Sequence, residues 1–205
     1  MPQTRSRSRT ENKFVDAVVA HLSEKGCDEL GVNTIAKRAG ADKVLIYRYF
    51  SSFEGLLETV AREIEWLPEA ATCLPHSERE PLDALRDILQ TLRQTFAERP
   101  ASKALLHWRK AVDNPLTQRF DSDWIALWED IARGLTTGQS YDYDSRRAWQ
   151  TALSLAALLL EAELGGEAFN ADGLERAAAG LQSTAAPASE TAEAGETENL
   201  PTNLL

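Results

Sequence analysis

Along most of the chain apolar residues recur three and four positions apart, a spacing that predicts a succession of amphipathic helices. Over Glu11 to Lys25, Phe14, Val15, Val18, Val19 and Leu22 share one face, and Gly26 stops the run. Val32 to Ala39 is a short helix broken by Gly40. A third runs from Lys43 to Tyr49, with Asp42 placed to accept hydrogen bonds from its first-turn amides. Phe53 to Leu67 carries Leu56, Leu57, Val60, Ile64 and Leu67 and ends at Pro68. Pro81 opens a helix whose stripe is Leu82, Leu85, Ile88, Leu89, Leu92 and Phe96, closed by Pro100. Ser102 to Val112 is shorter. Pro115 opens another, with Leu116, Phe120, Trp124, Leu127, Trp128 and Ile131 on one face, fading at Gly134 and Gly138. No segment alternates with a period of two between hairpin turns, so the expected fold is all-α, with about nine helices.

The stretch Ser145 to Leu164 differs in kind. From Ala148 to Leu160 it is apolar nearly all round, broken by Gln150, Thr151 and Ser154. Such a helix must be covered on most sides, by a large core or by a second subunit. Asp172 to Leu181 follows, with Ala177, Ala178, Ala179 and Gly180 small enough to let two helices approach closely. One reading is an interface between two copies of the chain, with Trp149, Ala152, Leu155, Ala156, Leu159, Leu174, Ala178 and Leu181 as its residues. The other is an ordinary terminal helix rich in alanine. Residues 183–205 are Ala, Ser, Thr, Pro and Glu without Lys or Arg and are expected to be a disordered acidic tail.

Composition narrows the class. The 205 residues include 22 Lys+Arg and 32 Asp+Glu, a formal net charge of −10. Divided by position the picture changes: residues 1–52 hold nine basic and six acidic residues, net +3, leaving 13 basic and 26 acidic, net −13, for the rest. A polyanion is attracted to the first quarter and repelled by the remainder. Two cysteines, Cys27 and Cys73, make no disulfide framework. No apolar run approaches a membrane span and the basic start lacks the apolar core of a secretory signal, so a cytoplasmic protein is expected. Residues 1–9 read as a basic flexible arm. Its Arg5, Arg7 and Arg9 either enter a minor groove or form a solvated tail.

The informative stretch is VNTIAKRAGADKVLIYRYF, Val32 to Phe50. Two short helices joined at Gly40–Ala41, the second polar on one side, fit a helix-turn-helix or an ordinary αα-hairpin. Ile35, Ala36, Ala39, Leu45 or Ile46, and Phe50 point inward, leaving Lys43, Val44, Tyr47 and Arg48 on the outer face. Two cations, an aliphatic side chain and a phenol suit base edges, thymine methyls and phosphates.

Specific residues then carry a resemblance. Ile35-Ala36-x-x-Ala39-Gly40, the Asp42-Lys43 pair, Tyr47, Phe50 and Glu54-x-x-Leu57, with the upstream Lys25-Gly26, resemble the DNA-binding region of the TetR family of bacterial transcriptional regulators. The match covers about residues 10–60. It implies an N-terminal three-helix DNA-binding domain over residues 10–55, and a larger helical effector-binding and dimerisation domain over residues 56–182. The function implied is a homodimeric repressor released from a palindromic operator, a double-stranded DNA, by a small apolar or aromatic effector. Lys43, Val44 and Arg48 would face bases, and Tyr47 and Tyr49 phosphates. Asn33 and Thr34 would begin the supporting helix. Three positions depart from the pattern: Gly31 where a Ser or Thr cap is favoured, Leu45 where a small hydroxyl residue is common, and Phe53 in place of a Lys.

An effector site in such a body would draw on Trp66, Phe96, His107, Trp108, Trp124 and Trp128, with Arg109, Gln118 and Tyr141 as further polar candidates; aromatics at this spacing equally make plain core. Catalysis finds no support: no phosphate-binding loop, nucleophile elbow or metalloprotease motif is present. His21, His76 and His107 are scattered, and His76 with Cys73, Glu78 and Glu80 supplies too few ligands for a structural zinc. Glu161 and Glu163, two apart on a helix, do not form a catalytic pair. The chain is thus expected to be no enzyme and to hold neither metal nor cofactor. The alternative to a regulator is a helical small-molecule-binding or interaction protein that no longer reads DNA.

Overall fold

The computed structural model describes residues 2–75, 80–137 and 143–184. They form ten helices, and no strand occurs among the described residues. In chain order these are α1 (Pro2–Lys25), α2 (Val32–Ala39), α3 (Val44–Phe50), α4 (Phe53–Glu63), α5 (Ala70–Cys73), α6 (Pro81–Glu98), α7 (Pro100–Trp108), α8 (Pro115–Thr136), α9 (Tyr143–Leu164) and α10 (Ala171–Thr184). The all-helical expectation holds, and its periodic stripes are the buried faces. Phe14, Val18, Leu22, Ile35, Ile46, Leu56 and Val60 are buried in the first part. Leu85, Ile88, Leu89, Leu92, Phe96, Phe120 and Ile131 are buried in the second.

The differences from the sequence reading have local causes. Helix α1 begins at Pro2, so the backbone expected to be a flexible arm over residues 1–9 continues the helix instead. Nothing in TRSRSRT breaks a helix, and Pro is tolerated at a first helical position. Helix α4 ends at Glu63, short of Leu67, because Ile64 turns to an extended conformation. The segment beyond it is held from outside: Ser102 Oγ donates to the Trp66 carbonyl at 2.6 Å, and Arg99 Nη1 to the Glu65 and Leu67 carbonyls at 3.1 and 3.4 Å. The one-turn α5, too short to show a period, buries Cys73. Helix α7 starts at Pro100 and stops at Trp108, with Ala111 and Val112 in the following turn. Helix α10 runs on to Thr184. Of the expected tail, residues 185–205 lie outside the described residues, as do His76, Glu78, Gly138 and Tyr141.

Helices α1 to α3 form a compact head, with α1 packed on α2 and α3 on α4. Phe50 meets Phe14 edge-on at 6.1 Å, which ties α3 to the face of α1. His21 Nε2 donates to the Asp28 carbonyl at 2.7 Å, making this histidine a buried packing residue. Two elements connect head and body. Helix α4 lies against α8, and α1 lies against α7, where the Cys27 thiol sits 3.8 Å from the Ala104 carbonyl. Burial pushes both thiols up, Cys27 to about 12 and Cys73 to about 11, so neither is a reactive thiolate near neutral pH. In the body α10 packs on α9 and α6. Arg93 of α6 grips Glu163 of α9 with Nε at 2.9 and 3.0 Å from the two carboxylate oxygens, and its guanidinium lies 4.4 Å from the Phe169 ring.

Candidate functional site

The outer side of α3 follows directly from how its ends are built. Gly40 closes α2 in the left-handed conformation, φ 60°, and its amide donates back to the Lys37 carbonyl. Asp42 Oδ1 then accepts from the Val44 amide at 2.9 Å, the capping role expected of it, although the helical boundary itself falls at Lys43. At the far end Ser52 Oγ accepts from the Gly55 amide at 2.9 Å and starts α4. A Cβ at Gly55 would stand 2.0 Å from the Phe50 carbonyl oxygen, so only glycine lets α4 approach α3 this closely.

Held in this way, α3 turns Ile46 fully inward and half-buries Leu45, Tyr49 and Phe50. Lys43, Val44, Tyr47 and Arg48 are exposed together. Val44 is 61% and Tyr47 52% exposed, which is unusual for an aliphatic and an aromatic side chain with a core within reach. The Arg48 guanidinium lies 5.9 Å from the Tyr49 ring. Lys43 Nζ donates to Asn33 Oδ1 at 3.3 Å, joining the start of α2 to the start of α3, and Thr34 beside it is half-buried. The DNA-facing residues expected from the sequence therefore lie along one edge, except that Leu45 and Tyr49 are partly turned into the fold. Gly31 caps α2 with no side-chain hydrogen bond, and Phe53 packs against the core.

In the body the expected effector residues do not converge on one cavity. Phe96, Trp124 and Trp128 stack edge-on in sequence, with centroids 5.9 and 5.5 Å apart. Trp66 is buried, whereas His107 is exposed and Trp108 half-buried. A cleft of about 850 Å³ opens between α8 and α9, and of the six only Trp124 and Trp128 line it. Arg109 and Gln118 border a separate hollow of about 320 Å³ at the α7–α8 corner. Arg109 is committed to protein partners, pairing with both Asp121 and Glu161.

Glu161 was set aside in the sequence as half of an unsuitable pair, yet it is a buried hub. Besides Arg109 it takes the Lys110 ammonium at 2.5 Å and the Trp124 indole N–H at 3.0 Å. Nothing short of the tertiary contact between α9 and the α7–α8 corner would have signalled this. Among the described residues no group of His, Cys, Asp and Glu is arranged to hold a metal ion, and no helix is long and apolar enough to cross a membrane.

The expected interface residues face the wrong way for a second copy. Trp149, Ala152, Ala156, Leu174, Ala178 and Leu181 are buried in the chain's own core, and Leu155 and Leu159 are half-buried. The apolar run of α9 is covered by α10, α8 and α6, so no partner is required to bury it. What α9 leaves outside is Thr151, Ser154 and Leu158, the last 61% exposed.

Comparison with known proteins bears on the same residues. Residues 14–60 match the family described as bacterial regulatory proteins, TetR family. Over 181 residues the chain is 26% identical to the HTH-type transcriptional regulator BetI of Escherichia coli O45:K1, covering 83% of this chain and 90% of that protein. It is 28% identical over 156 residues to the nucleoid occlusion factor SlmA of Haemophilus influenzae, covering 71% and 72%. In fold it is similar to a TetR transcriptional regulator from Rhodococcus sp. RHA1, at a TM-score of 0.51 and 17% identity, over 87% of this chain and 99% of that one. With its helix-turn-helix inside the matched segment and its all-helical body, the chain belongs to the TetR family of bacterial transcriptional regulators.

Proposed function

We infer that the protein is a homodimeric repressor that grips a palindromic operator with two copies of α3 and releases it when a small apolar or aromatic effector binds the body. The observation that carries this reading is the shared exposure of Lys43, Val44, Tyr47 and Arg48 on a helix whose opposite side is locked into the head. Arg48 and Lys43 would serve guanine edges or phosphates, Val44 a thymine methyl, and Tyr47 a phosphate or base edge. Asn33 and Thr34 at the start of α2 would add backbone contacts, with Tyr49 and Leu45 at the margin of the footprint.

The division of labour follows the charge. Residues 10–55 bind, and the acidic residues 56–182 sense and pair, their charge discouraging any other mode of docking on DNA. Two recognition helices reach successive major grooves when about 34–36 Å apart. The dimer surface is taken to be the outer edge of α9, Thr151, Ser154 and Leu158, with Ala179 and Gly180 of α10 exposed beside it. Helices α4 and α7 carry the response: both touch the head, and the Ser102 and Arg99 bonds fasten the end of one to the start of the other. A ligand shifts the balance between gripping and releasing forms only by its difference in affinity for the two.

A gel shift with the duplex upstream of the protein's own gene, at stated salt, tests the proposal. The expected result is one retarded species holding two chains, lost on Tyr47→Ala. Failure to retard that duplex or any other, even at low salt, would favour a helical ligand-binding protein without DNA recognition.

A further inference from the structure

The cleft between α8 and α9 has the volume of a small-molecule site, about 850 Å³. Trp124, Trp128, Leu153 and Leu158 give it an apolar wall. Trp128 is 9% exposed, and its indole N–H is buried without a hydrogen-bond partner, whereas Trp124 beside it donates to Glu161. Buried donors in folded proteins are nearly always paired, so an N–H left alone in a cavity wall marks where an acceptor is missing. At the rim stand Arg133 and Arg146. Arg133 gives one nitrogen to Asp130 at 2.6 Å and keeps its other donors; Arg146 is exposed and forms no ion pair with a described residue. The acid facing them is Glu129. The lining thus sums to one positive charge, in a portion of the chain, residues 53–205, that totals −13.

We propose that this cleft binds an amphipathic organic monoanion, a carboxylate with an apolar body. The body lies on Trp124, Trp128 and Leu153, and the carboxylate is held at the rim by Arg146 and Arg133. A polar acceptor on the ligand takes the Trp128 N–H. Guanidinium–carboxylate pairing supplies orientation as well as attraction, and the apolar wall supplies most of the affinity. The proposal deepens the effector reading and rests on it, because it names the chemical class of the molecule that the body senses.

The test uses decanoate as the probe on the full chain, with decanol and decyltrimethylammonium as neutral and cationic controls of the same tail. Binding is followed by tryptophan fluorescence and calorimetry, operator binding by gel shift on the same preparation, and oligomeric state by sedimentation. Decanoate is expected to bind once per chain, about tenfold more tightly than either control, and more weakly as salt rises. The double variant Arg133→Gln/Arg146→Gln removes that preference and leaves decanol affinity as it was. Trp128→Phe, which keeps the ring and loses the N–H, weakens decanoate in the intact rim. Equal affinity for the three probes, or an undiminished preference in the double variant, overturns the proposal. So does decanoate that binds only once the dimer has dissociated, since the cleft would then be the seat of a second copy. No binding by a protein that still retards its operator removes this site alone and leaves the regulator standing.

Discussion

Head and body use the same kinds of side chain in opposite ways. In α8, Trp124 and Trp128 stand four apart and are buried, their rings meeting edge-on. In α3, Val44 and Arg48 also stand four apart, with Tyr47 beside them, and all three are exposed. A long helix with neighbours on several sides can turn its aromatics into a core. A seven-residue helix fastened by Ile46 and Phe50 has one buried side, and whatever else it carries meets solvent or a partner. The exposed aromatic in the head is therefore informative about binding, whereas the buried ones in the body report packing first.

That contrast can be broken at either end. The largest effect is expected in the body: Glu161→Ala leaves Arg109 and Lys110 without their shared carboxylate and the Trp124 N–H without its acceptor. Removing one partner of a buried pair costs about 3–5 kcal/mol, so urea unfolding should move to markedly lower denaturant. Glu161→Gln, which keeps an acceptor for Trp124, should lose less. In the head the pattern is reversed. Tyr47→Ala leaves the melting temperature unchanged and costs about 1–3 kcal/mol of operator affinity, read by titration at fixed salt. Arg48→Ala should do likewise, and wild-type affinity in either variant would detach α3 from DNA recognition.

Smaller effects sharpen the comparison. Leu158→Asp is expected to weaken the dimer by more than about 1 kcal/mol in sedimentation, with helicity intact, because the side chain is 61% exposed in the single chain. If it unfolds the protein instead, Leu158 belongs to the core. The smallest change should be a gain. Gly31→Ser supplies the side-chain cap that α2 lacks, at a position with nothing within 4 Å of a new Cβ, and should stabilise the head by about a few tenths of a kcal/mol.

Most of the helices were legible in the sequence because a stripe of apolar residues and a flanking Pro or Gly state a helix locally. The DNA-facing edge was legible for the same reason: Lys43, Val44, Tyr47 and Arg48 are set by a turn at Gly40 and a cap at Asp42, all within a few residues. What failed depends on neighbours distant in sequence. The stop of α4 at Glu63 involves a connector held by Ser102 and Arg99 from another helix. The covered side of α9 was recognised as apolar, but its cover is α10, α8 and α6 rather than a second copy, and periodicity cannot tell those apart. Glu161 looked like a surface acid because its partners, Asp121's neighbour Arg109 among them, lie about fifty positions away along the chain.

The most direct test of the account is nitrogen-resolved chemical-shift mapping of the intact protein as operator duplex is added. The account predicts that the largest perturbations fall on Asn33, Thr34 and the stretch from Lys43 to Tyr49, with smaller ones passing into α4 and α7. Perturbations confined to the α8–α9 cleft, or spread evenly over exposed basic residues without a maximum on α3, would contradict it.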